Sequence, residues 1–303
     1  MQGEKLYGLI EAGGTKFVLG IARLQGDIVG GVDASSILET TRIPTTTPAQ
    51  TITAAIAWFR EQSETFGKFD AIGLASFGPL QLDKSAANFG FITDTPKKHW
   101  LNTDLLGPFQ RAFGCPIAID TDVNAAALSE YRWGRGRDCR SVVYLTIGTG
   151  VGGGAVIGGK MLHGVGHPEM GHMRVQLHES DHGFAGSCAI HGACLEGLAS
   201  GPAIIKRWGK SLSELPDNHE AKSIIAFYLA QVVCNLQAVL EPDRIILGGG
   251  VMATPDLLFL VKAKAAELGG QYFSGNAYDI IASPGLGTNA GLLGALAVAQ
   301  QAA

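Results

Sequence analysis

The sequence predicts an α/β protein made of two related lobes. Short apolar runs rich in β-branched residues alternate with longer helical patterns along its 303 residues. A strand, a turn rich in glycine and threonine, and a second strand open the chain, and the same plan returns from about Asp120. The two turns are residues 10–15 and 146–151. Two such lobes would enclose a cleft, which is where ligands usually bind.

Individual elements follow from this hydrophobic patterning. The runs that predict strands are Leu6 to Ile10, Phe17 to Leu24, Ala71 to Ala75, Ile117 to Ile119, Val142 to Ile147, Gly154 to Ile157 and Arg244 to Leu247. The patterns that predict helices are Pro48 to Phe66, Ala125 to Trp133, Ala221 to Leu240 and Pro255 to Leu268. We place the lobe boundary near Asp120, so that residues 1–119 form the first lobe and residues 120–288 the second. A last helix, about residues 289–303, is expected to pack back on the first lobe.

Composition favours small-molecule chemistry over macromolecular binding. The chain is 46% hydrophobic and 17% charged, with a formal net charge of -4 and no long basic run. It therefore lacks the positive surface that binds nucleic acid. The N-terminus has no signal-peptide pattern. The sequence also contains no run of about 18 apolar residues, the length needed to span a bilayer. These features predict a cytoplasmic protein with no membrane partner.

The five cysteines do not predict a disulfide scaffold, because their number is odd and the expected compartment is reducing. Cys115, Cys139 and Cys234 stand in apolar or strand-like surroundings and are predicted core residues. Cys188 and Cys194 belong to a different pattern, in which sulfur and imidazole groups recur at short intervals.

A metal site is predicted where Cys188, His191 and Cys194 follow one another, with His172 upstream. Thiolate and imidazole ligands that converge on one ion suit tetrahedral zinc. Because the two cysteines belong to one short irregular segment, we expect a structural ion with no open position for a reactive water. The alternative is that these residues are unrelated core cysteines and surface histidines.

Glycine-rich segments in the middle of the chain match two phosphate-binding patterns, and we reject both. Residues 148–153 read GxGxxG, but a strand follows them, whereas dinucleotide binding needs a helix whose N-terminus faces the pyrophosphate. Residues 154–160 read GxxxxGK, but Met161 stands where a Ser or Thr must reach magnesium. A glycine hairpin can still bind phosphate, because successive backbone N–H groups form an anion-binding nest.

Asp122 is the candidate general base. It lies where a predicted strand gives way to an alanine-rich helix, in the run DTDVNAAA that starts at Asp120. A carboxylate at that point can accept the proton of a hydroxyl that attacks a phosphoryl group. The simpler interpretation is that Asp122 only caps the helix. Glu169 and Glu196 flank the metal cluster, where they could contact the hydroxyls of a sugar or simply face solvent.

These motifs resemble those of the ROK family of sugar kinases and transcriptional repressors. The resemblance runs from Leu6 to about Ala297. Its segments are residues 11–16, the run at Asp120, residues 148–154, His167 to His172 and Cys188 to Glu196. The family belongs to the actin-like, hexokinase-like ATPases, so the resemblance implies two lobes that each contain a ribonuclease H-like motif, with an active-site cleft between them. Within the family, the chain looks most like the zinc-containing bacterial fructokinases.

The resemblance implies a role for each motif. Asp122 would be the general base, and the sugar would be contacted by Glu169, His172 and Glu196. The ATP phosphates would lie at Gly13, Gly14, Thr15, Lys16, Gly148, Thr149 and Gly150. Further nucleotide contacts would come from Pro202, Gly248, Gly249, Gly250, Val251 and Met252. The implied cofactors are ATP with Mg²⁺ and a structural Zn²⁺ held by His172, Cys188, His191 and Cys194.

Departures from the general family pattern favour fructose as the substrate. Most ROK glucokinases carry Asp at the position of Glu11, Asn at that of Thr121 and a CxCGxxGC metal loop, whereas this chain has CxxHxxC. The expected reaction is ATP-dependent phosphorylation of D-fructose at O6. The alternatives are a kinase for glucose, mannose or N-acetylmannosamine, and a sugar sensor without catalysis. The resemblance also implies a homodimer, and the start of the kinase motifs at Leu6, with no DNA-binding segment before it, predicts no nucleic-acid partner.

Overall fold

The computed structural model describes residues 3–25, 36–181 and 183–302. The strands are β1 (Glu4–Ala12), β2 (Lys16–Gln25), β3 (Ile37–Pro44), β4 (Ala71–Ser76), β5 (Phe91–Ile92), β6 (Thr103–Asp104), β7 (Ile117–Thr121), β8 (Ser141–Ile147), β9 (Val151–Ile157), β10 (Lys160–Met161), β11 (Arg244–Gly248) and β12 (Ile281–Ala282). The α-helices are α1 (Pro48–Phe66), α2 (Leu106–Ala112), α3 (Asp122–Trp133), α4 (Leu195–Ala199), α5 (Gly201–Trp208), α6 (Ala221–Leu240), α7 (Leu257–Gly269), α8 (Ala277–Ile280) and α9 (Ala290–Ala299). This alternation confirms the predicted α/β class.

The chain divides into two compact units. The first comprises Met1–Gly134, Lys160–His167 and Leu286–Ala303, and the second comprises Arg135–Gly159 and Pro168–Gly285. Helix α3 belongs to the first unit, although the boundary expected from the sequence lies before it at Asp120. The physical reason is packing, because α3 contacts α9 and the strands of the first sheet.

The first unit is built on a sheet of strand order β3-β2-β1-β4-β7. Strand β2 runs antiparallel to its neighbours β1 and β3, whereas β4 runs parallel to β1 and β7. All of β4 is buried, as expected of a central parallel strand whose two faces are both covered. Alternate side chains of β1 enter different cores. Leu6 and Ile10 pack with Trp100, and Tyr7 and Leu9 pack with α9.

The second unit contains a sheet in which β9, β8, β11 and β12 are neighbours in that order. Strands β8 and β9 form an antiparallel hairpin, and β8, β11 and β12 run parallel. The hairpin β1–β2 and the parallel strands β4 and β7 have the same arrangement in the first sheet. The repeated plan that the two glycine turns predicted is therefore present in the strand order of both sheets.

One strand and several short elements were not predicted from the sequence. Strand β3 pairs with β2 at the edge of its sheet, and all of its residues are exposed or half-buried. An edge strand buries little surface, so its sequence carries no continuous apolar run. Short elements such as α2 and β5 are too brief to give a periodic signal.

Helix α9 covers the first sheet at unusually close range. A Cβ atom at Gly73, in the middle of β4, would overlap the carbonyl group of Ala295. Gly294 of the same helix approaches the backbone of Ala125 in α3, where an added Cβ would lie 2.9 Å from the Ala125 carbonyl carbon. Glycine and alanine at these positions let α9 lie directly on β4 and α3. Helix α9 therefore fixes the position of α3, which begins at Asp122.

Among the described residues, α6 is the one helix that is long and apolar enough to cross a bilayer, with a mean hydropathy of 1.7 over its most apolar window. More than half of that window is buried within the protein. Helix α6 contacts α4 and α7. Its packing is that of a core helix, and it supports the metal loop through α4.

Candidate functional site

The carboxyl ends of three strands in the first unit lie in register. Ala12 of β1 pairs with Ser76 of β4, and Ser76 pairs with Thr121 of β7. Gly13 and Asp122, the residues that come directly after β1 and β7, are therefore at the same edge of the sheet. Neighbouring strands are about 4.8 Å apart, so two strand spacings of about 10 Å separate the two positions. This edge carries two of the predicted motifs.

The first of these motifs is the turn between β1 and β2. Within it, the N–H of Gly13 donates to the carbonyl of Lys16 over 3.0 Å. The Thr45 side chain donates to the Gly13 carbonyl at 2.7 Å, and the Thr45 N–H donates to the Thr15 carbonyl at 2.9 Å. The side chains of Thr15 and Lys16 are exposed. The turn is thus fixed by its backbone and leaves a hydroxyl and an ammonium group available to a ligand.

Asp122 is the first residue of α3, but it does not cap this helix. The N-cap is Thr121, whose hydroxyl accepts the N–H of Asn124 at 3.1 Å. Asp122 Oδ1 accepts the N–H of Val123 at 2.9 Å, and the side chain is only half-buried. A carboxylate in the first turn is stabilised by the helix dipole. The capping interpretation weighed for Asp122 therefore applies to its neighbour.

The side chain of Asp120 holds the start of α3 through hydrogen bonds. No local sequence pattern predicted the distant residue that pairs with it. Its carboxylate is buried, and it accepts the Thr121 N–H at 2.8 Å and an Asn124 side-chain N–H at 2.9 Å. Asp120 Oδ2 also lies 2.8 Å from Nε2 of His163. The hydrogen bond to Asp120 raises the pKa of His163 above its usual value, and partial burial of the ring opposes the shift. The two residues form an ion pair when His163 is protonated.

Glu11, near the end of β1, is a further acidic group at this edge. It is not among the catalytic, sugar, nucleotide or metal residues that the sequence predicted. Burial raises the pKa of the Glu11 carboxyl, while the positive charges of Lys16 and Arg42 act to lower it. The carboxylate also lies where a side chain at Gly291 of α9 would have to go. Glycine at position 291 therefore makes room for a glutamate beside the β1–β2 turn.

The second unit presents an equivalent edge at the ends of β8 and β11. Thr146 of β8 pairs with Gly248 of β11, so the turns that follow these strands lie side by side. Gly249 adopts a positive φ of 91°, and a Cβ at this position would overlap the backbone of Ile147. Only glycine allows this approach. The predicted nucleotide segment Gly248 to Met252 and the β8–β9 turn are thereby brought together.

The β8–β9 turn is held by hydrogen bonds to the start of α4 and of α5. The Gly148 N–H donates to the Gly150 carbonyl at 2.9 Å, which closes the turn. The Gly201 N–H donates to the Gly148 carbonyl at 2.7 Å, and Glu196 Oε2 accepts the Val151 N–H at 3.0 Å. Pro202 lies in the first turn of α5, next to this contact. Gly148, Thr149, Gly150 and Pro202 are therefore neighbours.

His172, Cys188, His191 and Cys194 converge in the second unit. Each offers one ligand atom, and these four atoms all lie within 4.8 Å of one another. Nδ1 of His172 is 3.8 Å from Cys188 Sγ and 3.5 Å from Cys194 Sγ. Nδ1 of His191 is 4.0 Å from Cys188 Sγ. The alternative of unrelated cysteines and histidines does not describe this arrangement.

The geometry of the cluster suits zinc. Zn–S bonds of about 2.3 Å and Zn–N bonds of about 2.0 Å in a tetrahedron place neighbouring ligand atoms roughly 3.3–3.8 Å apart. The N–S distances in the cluster match this range to within a few tenths of an ångström. The His191 N–H also points at Cys188 Sγ over 3.4 Å, which would stabilise a thiolate. All four positions are filled by side chains, so the donor set fits a structural ion.

The three predicted sugar contacts, Glu169, His172 and Glu196, lie in or around this cluster and differ in what their side chains face. His172 directs Nδ1 toward the thiols, and its Nε2 lies 4.0 Å from Glu169 Oε2. One imidazole can therefore bind a metal through one nitrogen and face a ligand through the other. Glu169 is about half exposed, whereas Glu196 is directed at the β8–β9 turn rather than at open solvent. Glu169, His172 and Glu196 belong to the second unit and Asp122 to the first.

Two sheets of the same plan, each with a glycine turn at the carboxyl edge of its parallel strands, define the class of actin-like, hexokinase-like ATPases. The sequence pattern of the ROK family matches residues 7–302, and the chain belongs to that family.

Several named proteins are similar to this chain. A fructokinase from Zymomonas mobilis is 47% identical over 98% of this chain and 97% of its own length. A fructokinase from Pediococcus pentosaceus is 40% identical over 98% of each chain. A glucokinase from Streptomyces coelicolor is more distant, at 28% identity over 96% of each.

Solved structures have the same fold. The ROK hexokinase of Thermus thermophilus superposes with a TM-score of 0.77 at 24% identity, covering 98% of both chains. The ROK glucokinase of Streptomyces griseus, solved in complex with glucose and AMPPNP, gives a TM-score of 0.73 at 26% identity. That match covers 99% of this chain and 100% of the other. The predicted sugar-kinase fold is confirmed.

Proposed function

We propose that this chain transfers the γ-phosphoryl group of ATP to O6 of D-fructose. The observation that carries the proposal is the 47% identity to the Zymomonas mobilis fructokinase along 98% of this chain. Identity falls to 28% with the Streptomyces coelicolor glucokinase. Residues Glu11 and Thr121 and the CxxHxxC metal loop, which depart from the glucokinase pattern, support the same preference for fructose.

Asp122 is the general base in this proposal. It accepts the proton of the O6 hydroxyl as that oxygen attacks the γ-phosphorus. The new O–P bond forms while the bond from the γ-phosphorus to the bridging oxygen breaks, and ADP leaves. The position of the carboxylate supports this role, because Asp122 lies at the carboxyl edge of β7 and the helix is already capped by Thr121. Asp120 holds the surrounding backbone.

The two glycine turns bind the phosphates of ATP. Their backbone N–H groups can stabilise charge that spreads over the phosphoryl oxygens during transfer. Lys16 adds a positive charge at the first turn, where its side chain is exposed. Mg²⁺, when bound with ATP, neutralises charge on the phosphates. Glu11 has carboxylate oxygens of the kind that Mg²⁺ prefers, at the same edge of the first sheet as Asp122.

The metal cluster orders the residues that recognise the sugar. A Zn²⁺ bound by His172, Cys188, His191 and Cys194 would fix the orientation of the His172 ring, because Nδ1 is then committed to the metal. His172 Nε2 and the neighbouring Glu169 carboxylate could then bind adjacent hydroxyls of fructose. By family resemblance, we infer a cytoplasmic homodimer. Light scattering of the purified protein would check the dimer.

A coupled ADP-release assay tests the activity. With Mg-ATP, we expect turnover of D-fructose at a kcat/KM at least about tenfold above that for glucose, mannose and N-acetylmannosamine, which corresponds to about 1.4 kcal/mol. The 6-deoxy analogue of fructose lacks the attacking hydroxyl, so it should bind without raising ADP release. Phosphorylation of that analogue would show that another hydroxyl reacts.

Two other functions remain as outcomes of the same assay. Preference for another hexose would keep the mechanism but assign a different substrate, and it would show that Glu11, Thr121 and the metal loop do not specify fructose. Sugar binding without ADP release would indicate a sensor. A base at Asp122 favours catalysis over sensing, because a sensor needs no proton acceptor at the attacking hydroxyl.

A further inference from the structure

The β8–β9 turn is connected to the metal cluster by a short, continuous path. Cys194, a predicted metal ligand, is the N-cap residue of α4, and Glu196 lies in the first turn of that helix. Glu196 Oε2 accepts the N–H of Val151, which directly follows the turn. Just beyond the other end of α4, at the first residue of α5, the Gly201 N–H donates to the carbonyl of Gly148, the first residue of the turn. The segment Glu196–Gly201 thus contacts both ends of Gly148–Val151.

A second contact joins the same turn to the other side of the cluster. Gly171 precedes the ligand His172, and a Cβ at Gly171 would overlap the carbonyl of Val151. The carbonyl of Val151 therefore packs against the segment that contains His172, and its N–H is bonded to the segment that contains Cys194. Both segments also contact each other, because the Leu195 N–H donates to the Met173 carbonyl at 3.0 Å.

The hydrogen bond from Val151 also determines which groups of the turn remain for a ligand. The Gly148 N–H is bonded to Gly150 and the Val151 N–H to Glu196. The N–H groups of Thr149 and Gly150 are then the donors of this turn that a phosphate can use. A turn whose ends are already fixed loses less conformational entropy when it binds a ligand, so its affinity is higher.

We propose that Glu196 is a positioning residue that transmits metal occupancy to the phosphate-binding turn, so that zinc raises the affinity for the nucleotide as well as ordering the sugar contacts. The inference rests on the proposed function for the identity of the ligand at the turn, a nucleoside triphosphate. It concerns a different property from fructose turnover, namely the coupling between the metal cluster and residues Gly148–Val151.

The test compares wild type, Glu196→Ala and Glu196→Gln, each loaded with zinc and after chelation, with zinc content measured in every sample. The probe is a non-hydrolysable ATP analogue titrated by calorimetry in the absence of sugar. Hydrogen exchange of the Val151 amide gives a second readout. Neither readout needs turnover, so the inference can fail while fructose phosphorylation stands, and the reverse also holds. Glu179→Ala, an exposed acid in the same unit, is the matched control.

In wild type, chelation should weaken binding of the analogue by about fivefold or more and accelerate exchange at Val151 by a similar factor. Glu196→Ala should reproduce both effects while it still holds zinc. Chelation of Glu196→Ala should then add little, because the path is already broken. Glu196→Gln keeps an acceptor oxygen and should retain the protection of Val151, and Glu179→Ala should behave like wild type.

Three results would overturn the inference. One is unchanged analogue affinity and Val151 exchange when wild type loses zinc. Another is that Glu196→Ala and chelation each weaken binding of the analogue and that the two losses add when they are combined. Zinc would then act by a route that does not involve Glu196. The third is tighter analogue binding by both Glu196 variants, because the carboxylate would then act by repelling phosphate rather than by holding the turn. Readdition of zinc to chelated wild type should restore both readouts.

Discussion

Asp120 Oδ2 lies 2.8 Å from His163 Nε2, which joins a buried strand end to a residue 43 positions further along the chain. Asp120 also accepts two hydrogen bonds from the start of the following helix, at Thr121 and Asn124. A single buried carboxylate therefore ties the segment around His163 to the corner that presents Asp122. Both partners belong to the first unit.

This pair predicts a pH-dependent contribution to stability. The pKa of His163 is raised in the folded protein, so folding favours the protonated ring. The contribution is complete below the unfolded pKa of about 6.5 and is lost as the pH rises through the higher folded pKa. Wild type should therefore have a higher free energy of unfolding in urea than His163→Gln, and the difference should be largest at mildly acid pH. A difference that grows toward alkaline pH would contradict the assignment.

Replacement of Asp122 by Asn should lower kcat by at least about 100-fold, because the amide cannot accept a proton. Fructose binding, measured by calorimetry, should change little. Asp104→Asn is the control, since an Asn at this position can still accept the Gly107 N–H at the start of α2. Turnover that survives in Asp122→Asn would remove Asp122 from the base role.

Zinc content should depend on the cysteines of the cluster and not on the other cysteines. Protein purified without chelators should contain close to one zinc per chain by elemental analysis. Cys188→Ser should lose most of it, because a hydroxyl is a much poorer zinc ligand than a thiolate. Cys234→Ser is the matched control, since Cys234 lies in α6 and bonds to Ala265 rather than to the cluster. Equal zinc in both variants would argue against the proposed ligands.

The contact between α9 and β4 predicts a severe effect of a single methyl group. Gly73→Ala would place a Cβ on the Ala295 carbonyl, so the helix must shift. We expect a loss of about 1–3 kcal/mol or more in the free energy of unfolding. Gly114→Ala has nothing within 4 Å of the added atom and should change stability by less than about 0.5 kcal/mol. Chemical denaturation of both variants measures the contrast.

The sequence determined the features that depend on neighbouring residues. The strands around residues 6–10 and 142–147 carry their own apolar runs, and the glycine turns that follow are visible because glycine marks tight backbone geometry. The sequence also identified all four candidate zinc ligands by residue type, three of which lie within a single short segment, and the structure brings them together.

Only the tertiary structure decided which distant groups meet. Glu196 was predicted as a sugar contact, with a solvent-facing acid as the alternative, and nothing in the sequence indicated its hydrogen bond from the Val151 N–H. His163 carried no signal for its pairing with Asp120, and the capping role considered for Asp122 belongs to Thr121. Such contacts depend on how sheets and helices pack, and a side chain's own sequence neighbours do not encode the partner that packing places beside it.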